Sequence, residues 1–264
     1  MYQTEYVRAD STADAMAKLA AAEDGKLLAG GMTLIPTLKQ RLAAPDLLVD
    51  LVACGLVGIS DDGASLRIGA MTPHVAVETD NLVRQGIPAL ASLAGHIGDR
   101  QVRNFGTLGG SVANNDPSAC YPAAVLGLGA IVETTSRSIP AGDYFVDLFE
   151  TALEEDEIIT AISFPKPLKA AYLKCPNPAS RYAMVGVFVA CFADGVRVAI
   201  TGAGEAGVFR HQPLEAALDA EFSVSAIDQV NIDSSGLMQD IHASADYRAH
   251  LIRVMTCRAV AALV

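Results

Sequence analysis

Two glycine-rich segments are the parts of this 264-residue sequence whose residue types and spacing best suit binding chemistry. The first reads Ala29-Gly30-Gly31-Met32-Thr33 and lies between a predicted strand and a predicted helix. Adjacent glycines permit positive φ, which lets backbone N–H groups turn toward an anion. A helix N-terminus adds partial positive charge. The segment therefore suits a phosphate group, and a plain strand–helix turn is the alternative.

The second segment runs from Gly106 to Pro117 and contains three glycines, two hydroxyls, two amides and one carboxylate. Its backbone N–H groups could lie against a pyrophosphate, with Thr107 and Ser111 as neutral donors. Asp116 could hold ribose hydroxyls. A long, solvated glycine turn is again the alternative. Two such segments in one chain favour dinucleotide binding more strongly than either does alone.

Composition excludes several classes of protein. Thirty acidic residues against 19 basic ones give a net charge of -11, which disfavours nucleic acid or an anionic membrane surface as a partner. The five cysteines are scattered, so an iron–sulfur or zinc site on this chain is not expected. The N-terminus resembles no signal peptide, and no apolar run is long enough to span a membrane. We expect a cytoplasmic protein, held at most to the inner face of a membrane through partners.

The elements that must position these segments follow from hydrophobic periodicity. The first 52 residues alternate β-α-β-α-β, and short strands and helices follow as far as Phe164. Pro165-Lys166-Pro167 predicts a boundary, because closely spaced prolines end regular structure. Beyond it, Asp194-Gly195 between apolar runs predicts a hairpin, and Asp246–Leu263 predicts a terminal helix.

Two other patterns are weaker candidates. Gly202–Gly207 has the G-x-G-x-x-G spacing of a dinucleotide fingerprint, but Pro213 interrupts the helix that should follow. A hairpin turn is the preferred interpretation there. No two of the five histidines lie four residues apart, so no histidine-based metal site is expected. Arg103, just upstream of the second glycine segment, could contact a phosphate or form an ordinary salt bridge.

Four motifs in this order resemble the FAD-binding medium subunits of the molybdenum hydroxylases, the CO dehydrogenase and xanthine dehydrogenase-type enzymes. Ala29–Thr33 resembles their Ala-Gly-Gly-His-Ser loop, and Thr107–Pro122 their Thr-Ile-Gly-Gly-Ser-Leu-Ala-His-Ala-Asp-Pro-Ala-Ala-Asp-Tyr-Pro segment. Tyr172–Ala183 resembles a segment carrying a lysine and a tyrosine near the flavin, and Ser244–Arg248 the start of their C-terminal helix. The resemblance covers essentially the whole chain. It departs from the family at three positions, which are Met32, Asn114 and Cys120.

The resemblance implies an α+β protein. A two-subdomain FAD-binding fold of the vanillyl-alcohol-oxidase type, also called a PCMH-type domain, would occupy residues 1–165, with subdomains of about 1–52 and 53–165. Residues 166–264 would form a C-terminal α/β domain, with a small antiparallel sheet and a terminal helix, that closes over the flavin.

The resemblance also assigns residues to the cofactor. The first glycine segment would line the pyrophosphate from one side and the second from the other. Asp116 would reach the ribose or ribityl region, Ile159 the adenine or flavin edge, Lys174 the polar edge of the flavin, and Tyr182 its ring. No catalytic residue and no metal ligand are assigned. The expected cofactor-binding residues are Ala29, Gly30, Gly31, Met32, Thr33, Leu34, Thr107, Gly109, Gly110, Ser111, Asn115, Asp116, Ile159, Lys174 and Tyr182.

The function implied by the resemblance is electron transfer within a complex. FAD would take electrons from [2Fe–2S] clusters on a small subunit and pass them to quinone, NAD or oxygen. A large subunit would carry the molybdenum cofactor, in a heterotrimer that pairs into a dimer. Two alternatives remain open, which are a self-contained FAD reductase or oxidase of the same fold and a non-catalytic binding module.

Overall fold

The computed structural model describes residues 1–264. Its first unit is a three-stranded parallel sheet in the order β1-β3-β2, as the β-α-β-α-β pattern predicts. Ser11 accepts a hydrogen bond from Asp14 N and so caps the first helix. The elements are β1 (Glu5–Arg8), α1 (Thr12–Ala20), β2 (Gly25–Leu28), α2 (Leu34–Lys39) and β3 (Leu47–Asp50).

The second unit is a five-stranded sheet in the order β4-β5-β10-β6-β7, whose neighbouring strands are all antiparallel. Buried residues of helices α5 and α8 and of strand β10 belong to one hydrophobic core. The elements are β4 (Ile59–Asp61), β5 (Ser65–Gly69), α3 (His74–Thr79), α4 (Asn81–Gly86), α5 (Pro88–Gly95), α6 (Arg100–Phe105), α7 (Leu108–Asn114), α8 (Tyr121–Leu128), β6 (Ile131–Thr134), β7 (Ser138–Pro140), α9 (Ala141–Tyr144), β8 (Phe145–Asp147), β9 (Glu150–Thr151) and β10 (Ile159–Pro165).

The third unit is a four-stranded antiparallel sheet in the order β11-β12-β13-β14. The terminal helix packs on this sheet, where Leu251, Ile252 and Met255 join its buried core. The mixture of helices and sheets confirms the α+β class. The elements are β11 (Lys169–Pro176), β12 (Ala183–Phe192), β13 (Gly195–Gly204), β14 (Gly207–Arg210), α10 (Gln212–Ala220), α11 (Val224–Asp228) and α12 (Ala245–Ala261).

The G-x-G-x-x-G spacing is part of a hairpin. Gly204 pairs with Gly207 across a two-residue turn between β13 and β14, which confirms the preferred interpretation. The hairpin predicted at Asp194-Gly195 also forms, since Gly195 pairs with Phe192. Neither turn opens a helix that could bind a dinucleotide.

The second glycine segment differs from its expected form. Its glycines indicate a loop, but it contains helix α7, which Thr107 caps by accepting a hydrogen bond from Gly110 N. Strand β11 had no counterpart in the predicted elements, although it carries Lys174. No helix of the structure has both the length and the apolar character needed to cross a bilayer.

Candidate cofactor-binding site

A cleft of about 580 Å³ lies where the three units meet. The first glycine segment and helix α7 face each other across it, and the start of β10 and the turn after β11 complete its walls. Every expected cofactor-binding residue lines this cleft except Asn115. The three positions that depart from the family, Met32, Asn114 and Cys120, line it as well. Residues from four separate parts of the chain therefore meet at one site.

The first glycine segment presents an uninterrupted row of free donors. None of the backbone N–H groups from Gly30 to Leu34 donates to an acceptor in the chain, whereas Ile35 N already bonds Gly31 O at 3.0 Å. Gly31 has φ of 71°, a conformation that glycine adopts without strain. Successive free N–H groups of this kind form an anion-binding concavity.

Gly30 is required because its backbone lies very close to the backbone of Phe105 and Gly106. A Cβ at this position would lie 1.9 Å from the carbonyl oxygen of Phe105 and 2.9 Å from Gly106 Cα. Both neighbours are backbone atoms, so no side-chain rotation could relieve the contact. The absence of a side chain at Gly30 brings the first glycine segment against the turn that precedes α7.

The four backbone N–H groups from Leu108 to Ser111 in the second glycine segment already have acceptors within the chain. Leu108 N donates to Thr72 O at 3.1 Å and Gly109 N to Ala70 O at 2.8 Å. Gly110 N donates to Thr107 Oγ1 at 3.2 Å, and Ser111 N to Thr107 O at 3.1 Å. Ser111 and Asn114 both line the cleft, and neither side chain has a hydrogen-bond partner in the chain. The two segments therefore differ, because only the first offers a row of free N–H groups.

Asn115 lies outside the cleft and has a structural contact instead. Its side-chain amide donates to Asp147 O at 2.9 Å and Glu150 O at 2.8 Å, which fixes the β8–β9 hairpin against the end of α7. Its φ of 41° is one of four positive values among non-glycine residues. The adjacent Asp116 does line the cleft, and burial raises the pKa of its carboxyl although Ser118 N–H partly offsets this.

Lys174 also lines the cleft, and its ammonium group makes three hydrogen bonds within the chain. Nζ donates to His96 O at 2.6 Å, to Arg181 O at 2.9 Å and to Cys120 Sγ at 3.4 Å. The direct hydrogen bond to the flavin edge that the family suggests would need one of these contacts to open. In this structure the lysine joins α5, α8 and the turn that carries Tyr182.

Tyr182 lies at the mouth of the cleft, with 45% of its surface exposed. Burial raises the pKa of its phenol, Asp116 and Cys120 raise it further, and a hydrogen bond with the Thr33 side chain lowers it. Tyr182 belongs to the third unit and lines the same cleft as Thr33 of the first glycine segment. Arg181, just before it, has φ of 64°, so the turn is tightly formed.

His74 also lines the cleft and was not among the expected site residues. Burial, together with the charge of Arg103, lowers its pKa to about 4, so the imidazole is neutral at pH 7. Its ring centroid lies 5.3 Å from that of Tyr121, and its Nδ1 has no hydrogen-bond partner in the chain. No sequence pattern marks this histidine. Arg103 forms a salt bridge with Glu78 at 2.8 Å. Of the two roles that the sequence left open for Arg103, a phosphate contact or an ordinary salt bridge, the structure shows the salt bridge.

The apolar end of the cleft is formed by Leu27, Leu51 and Ile158, close to the buried carboxylate of Glu157. A hydrogen bond from Arg137 is the main cause that lowers the pKa of Glu157 to about 2, and Thr134 also donates to this carboxylate. The carboxylate is thus neutralised within the protein. This end suits a flat, largely apolar group.

Comparison with known protein families identifies the family of this chain. Residues 2–167 match the model of the FAD binding domain in molybdopterin dehydrogenase. The chain belongs to this family. It is therefore an FAD-dependent oxidoreductase subunit with the fold that the four motifs led us to expect.

Relatives from several organisms align with nearly the whole chain. The carbon monoxide dehydrogenase medium chain of Afipia carboxidovorans is 35% identical over 97% of this chain and 95% of its own length. The nicotine 6-hydroxylase medium subunit of Paenarthrobacter nicotinovorans is 34% identical with the same coverage. The solved carbon monoxide dehydrogenase of Hydrogenophaga pseudoflava superposes with a TM-score of 0.90, at 31% identity, over 98% of this chain and 96% of the other. The chain is thus a medium subunit of the molybdenum hydroxylase type.

Proposed function

We propose that this chain holds FAD in the cleft and transfers electrons from [2Fe–2S] clusters on a small partner subunit to an external acceptor, which is a quinone, NAD or oxygen. A molybdenum cofactor on a large partner subunit would oxidise the substrate. The observation that carries the proposal is the row of free N–H groups from Gly30 to Leu34, placed in a cleft of about 580 Å³.

The free N–H groups explain how a pyrophosphate could bind to a protein whose net charge is negative. A net charge of -11 repels anions at long range, but neutral backbone donors hold phosphate oxygens without needing a basic field. Thr33 and Ser111 add hydroxyl donors on the two sides. Thr107, Gly109 and Gly110 contribute by positioning, because their own polar groups are used to fix α7.

The remaining expected residues divide between the two ends of the cofactor. Ile159 and its neighbours would contact the apolar adenine side, and Asp116 would accept hydrogen bonds from sugar hydroxyls. Lys174 would act through its positive charge and by fixing the turn that carries Tyr182. Bound flavin can accept electrons singly and release them in pairs, which is the chemistry that a relay between clusters and acceptor requires.

We propose the same division of the chain as the sequence suggests. Residues 1–165, with subdomains of about 1–52 and 53–165, would bind FAD, and residues 166–264 would close over the flavin. Support comes from Lys174 and Tyr182, which lie on or just after β11 and reach the cleft formed by the earlier residues.

The names of the relatives support partner subunits, because a medium subunit implies a larger and a smaller one. We extend this to a dimer of heterotrimers. We place the complex in the cytoplasm, where all five free cysteines of this chain would stay reduced.

The proposal is tested by comparing ligands that differ in the pyrophosphate. The purified chain is stripped of flavin and titrated with FAD, ADP and riboflavin, using isothermal titration calorimetry. If the first glycine segment holds the pyrophosphate, FAD binds tightly, ADP competes with it, and riboflavin binds far more weakly. Equal affinity for FAD and riboflavin would contradict the proposal.

A further inference from the structure

A second, smaller pocket of about 220 Å³ adjoins the flavin cleft. The two share Asp116, Ser118, Ser180 and Tyr182, so the Tyr182 side chain forms part of both walls. The other walls come from the turn after β11 and from the segment that enters α12, where Asn177, His242 and Arg248 line the pocket. A ligand there would lie beside the part of the cleft that these four shared residues line.

One wall of the pocket is a buried and tightly bonded arginine. Arg248 is 2% exposed, and its Nη1 donates to Met184 O and Gly202 O, both at 2.6 Å. Its Nη2 donates to Asp240 Oδ2 at 2.8 Å. Because these contacts join α12 to β12 and β13, the shape of the pocket is fixed by the core of the third unit.

Several polar groups of this pocket keep free donors. Arg248 Nε is buried without a partner. The carbonyl oxygen of the Asn177 side chain accepts from Ala179 N at 2.9 Å and Ser180 N at 3.2 Å, and its amide N–H₂ has no acceptor in the chain. The His242 ring and the Ser118 hydroxyl are also without partners. The pocket therefore offers the Asn177 amide, the His242 ring and the Ser118 hydroxyl to a ligand that accepts hydrogen bonds.

The charges of the pocket define the class of that ligand. Asp116 and Asp240 carry two negative charges against the single positive charge of Arg248, and Asp240 already neutralises that arginine. A phosphate or other anion would be repelled. A neutral ligand with carbonyl acceptors is favoured, and the half-exposed ring of Tyr182 provides a flat face for an aromatic or quinoid ring.

We propose that this pocket binds the head ring of a quinone, through hydrogen bonds from Asn177 and His242 to its carbonyl oxygens. The inference rests on the proposed function and narrows the choice among quinone, NAD and oxygen as external acceptor. It assigns a binding role to Asn177 and His242, which the proposed function does not use.

The test measures binding to the full chain loaded with FAD. The probe is tetramethyl-1,4-benzoquinone, whose ring carbons are all substituted so that cysteines do not add to it. Asn177→Asp keeps the acceptor oxygen that holds the turn but replaces the amide donor with a negative charge. His242→Leu removes the ring donors. His250→Leu is the matched control, because His250 is an exposed histidine of α12 outside the pocket.

We expect the quinone dissociation constant, measured by calorimetry, to rise about tenfold or more in Asn177→Asp and about fivefold in His242→Leu. The control should match the wild type, and all variants should keep their FAD content and visible spectrum. Wild-type affinity for quinone in both pocket variants would overturn the assignment. The assignment would also be overturned if the wild-type chain bound NAD⁺ but no quinone, and if Asn177→Asp weakened that NAD⁺ binding. A wild-type chain that retains FAD but binds no quinone refutes only this inference, whereas a chain that cannot bind FAD refutes the proposed function as well.

Discussion

Replacing Gly30 with alanine is the sharpest perturbation of the proposed pyrophosphate site. The added Cβ would lie 1.9 Å from Phe105 O and 2.6 Å from Phe105 C, and both are backbone atoms. Restoring ordinary contact at 3.4 Å requires the first glycine segment to move away by about 1.5 Å. The substitution therefore displaces the row of N–H donors without adding charge or removing a polar group.

The expected loss of affinity follows from that displacement. A hydrogen bond of about 2.9 Å stretched by this amount is no longer a hydrogen bond. Bonds to a charged acceptor contribute about 1.5–3 kcal/mol each, so losing two of them costs about 3–6 kcal/mol. FAD should therefore bind about 10²- to 10⁴-fold more weakly in Gly30→Ala.

The assay is calorimetric titration of the flavin-free chain with FAD, after circular dichroism has shown that the variant is folded. Gly142→Ala is the matched control, since a Cβ there meets no atom within 4 Å. The control should bind like the wild type. A folded Gly30→Ala protein whose FAD affinity stays within about threefold of the wild type would refute the reasoning.

Three further predictions concern the residues around the cleft. Asn115→Ala should lower the free energy of unfolding by about 2–3 kcal/mol in urea denaturation, because two partly buried hydrogen bonds are lost, while FAD affinity changes far less than in Gly30→Ala; a large loss of affinity with unchanged stability would contradict the structural role. Lys174→Met should speed FAD dissociation about tenfold in stopped-flow fluorescence, because the turn carrying Tyr182 loses its anchor, and Lys174→Arg should recover part of the effect; equal rates in all three proteins would contradict it. The pKa of His74 is about 4 in the folded chain against 6.5 for the free side chain, so the unfolded state binds the proton more readily and stability falls by about 3 kcal/mol as the pH drops from 6.5 to 4. His74→Gln should flatten that part of the pH–stability profile, and an unchanged slope would show that other groups cause it.

The sequence was sufficient to predict the helices, strands and turns whose signals lie within a short stretch of the chain. The β-α-β-α-β pattern, the Asp194-Gly195 hairpin and the terminal helix depend on short-range periodicity and turn chemistry, and all three form. The glycine pair at Gly30 also signals its own conformation, because a positive φ and a close approach are properties of glycine.

The features of the site that the sequence did not predict depend on contacts between residues far apart in the chain. Nothing in the second glycine segment indicates that Ala70 and Thr72 take up its N–H groups, because those acceptors come from a distant strand end. Asn115 has the residue type of a ligand-binding amide, yet its partners are carbonyls more than thirty residues away. His74 becomes a cleft residue only through the packing of α3 against α6. Such roles depend on tertiary structure, which periodicity does not encode.

The measurement that tests the account most directly is the composition of the complex that contains this chain. A tagged copy is expressed in the native host and affinity-purified, and its polypeptides, flavin, molybdenum and iron are quantified. The account predicts equimolar FAD on this chain, together with a large polypeptide that contains molybdenum and a small one that contains iron and acid-labile sulfide. A chain that purifies without flavin and without those partners would contradict it.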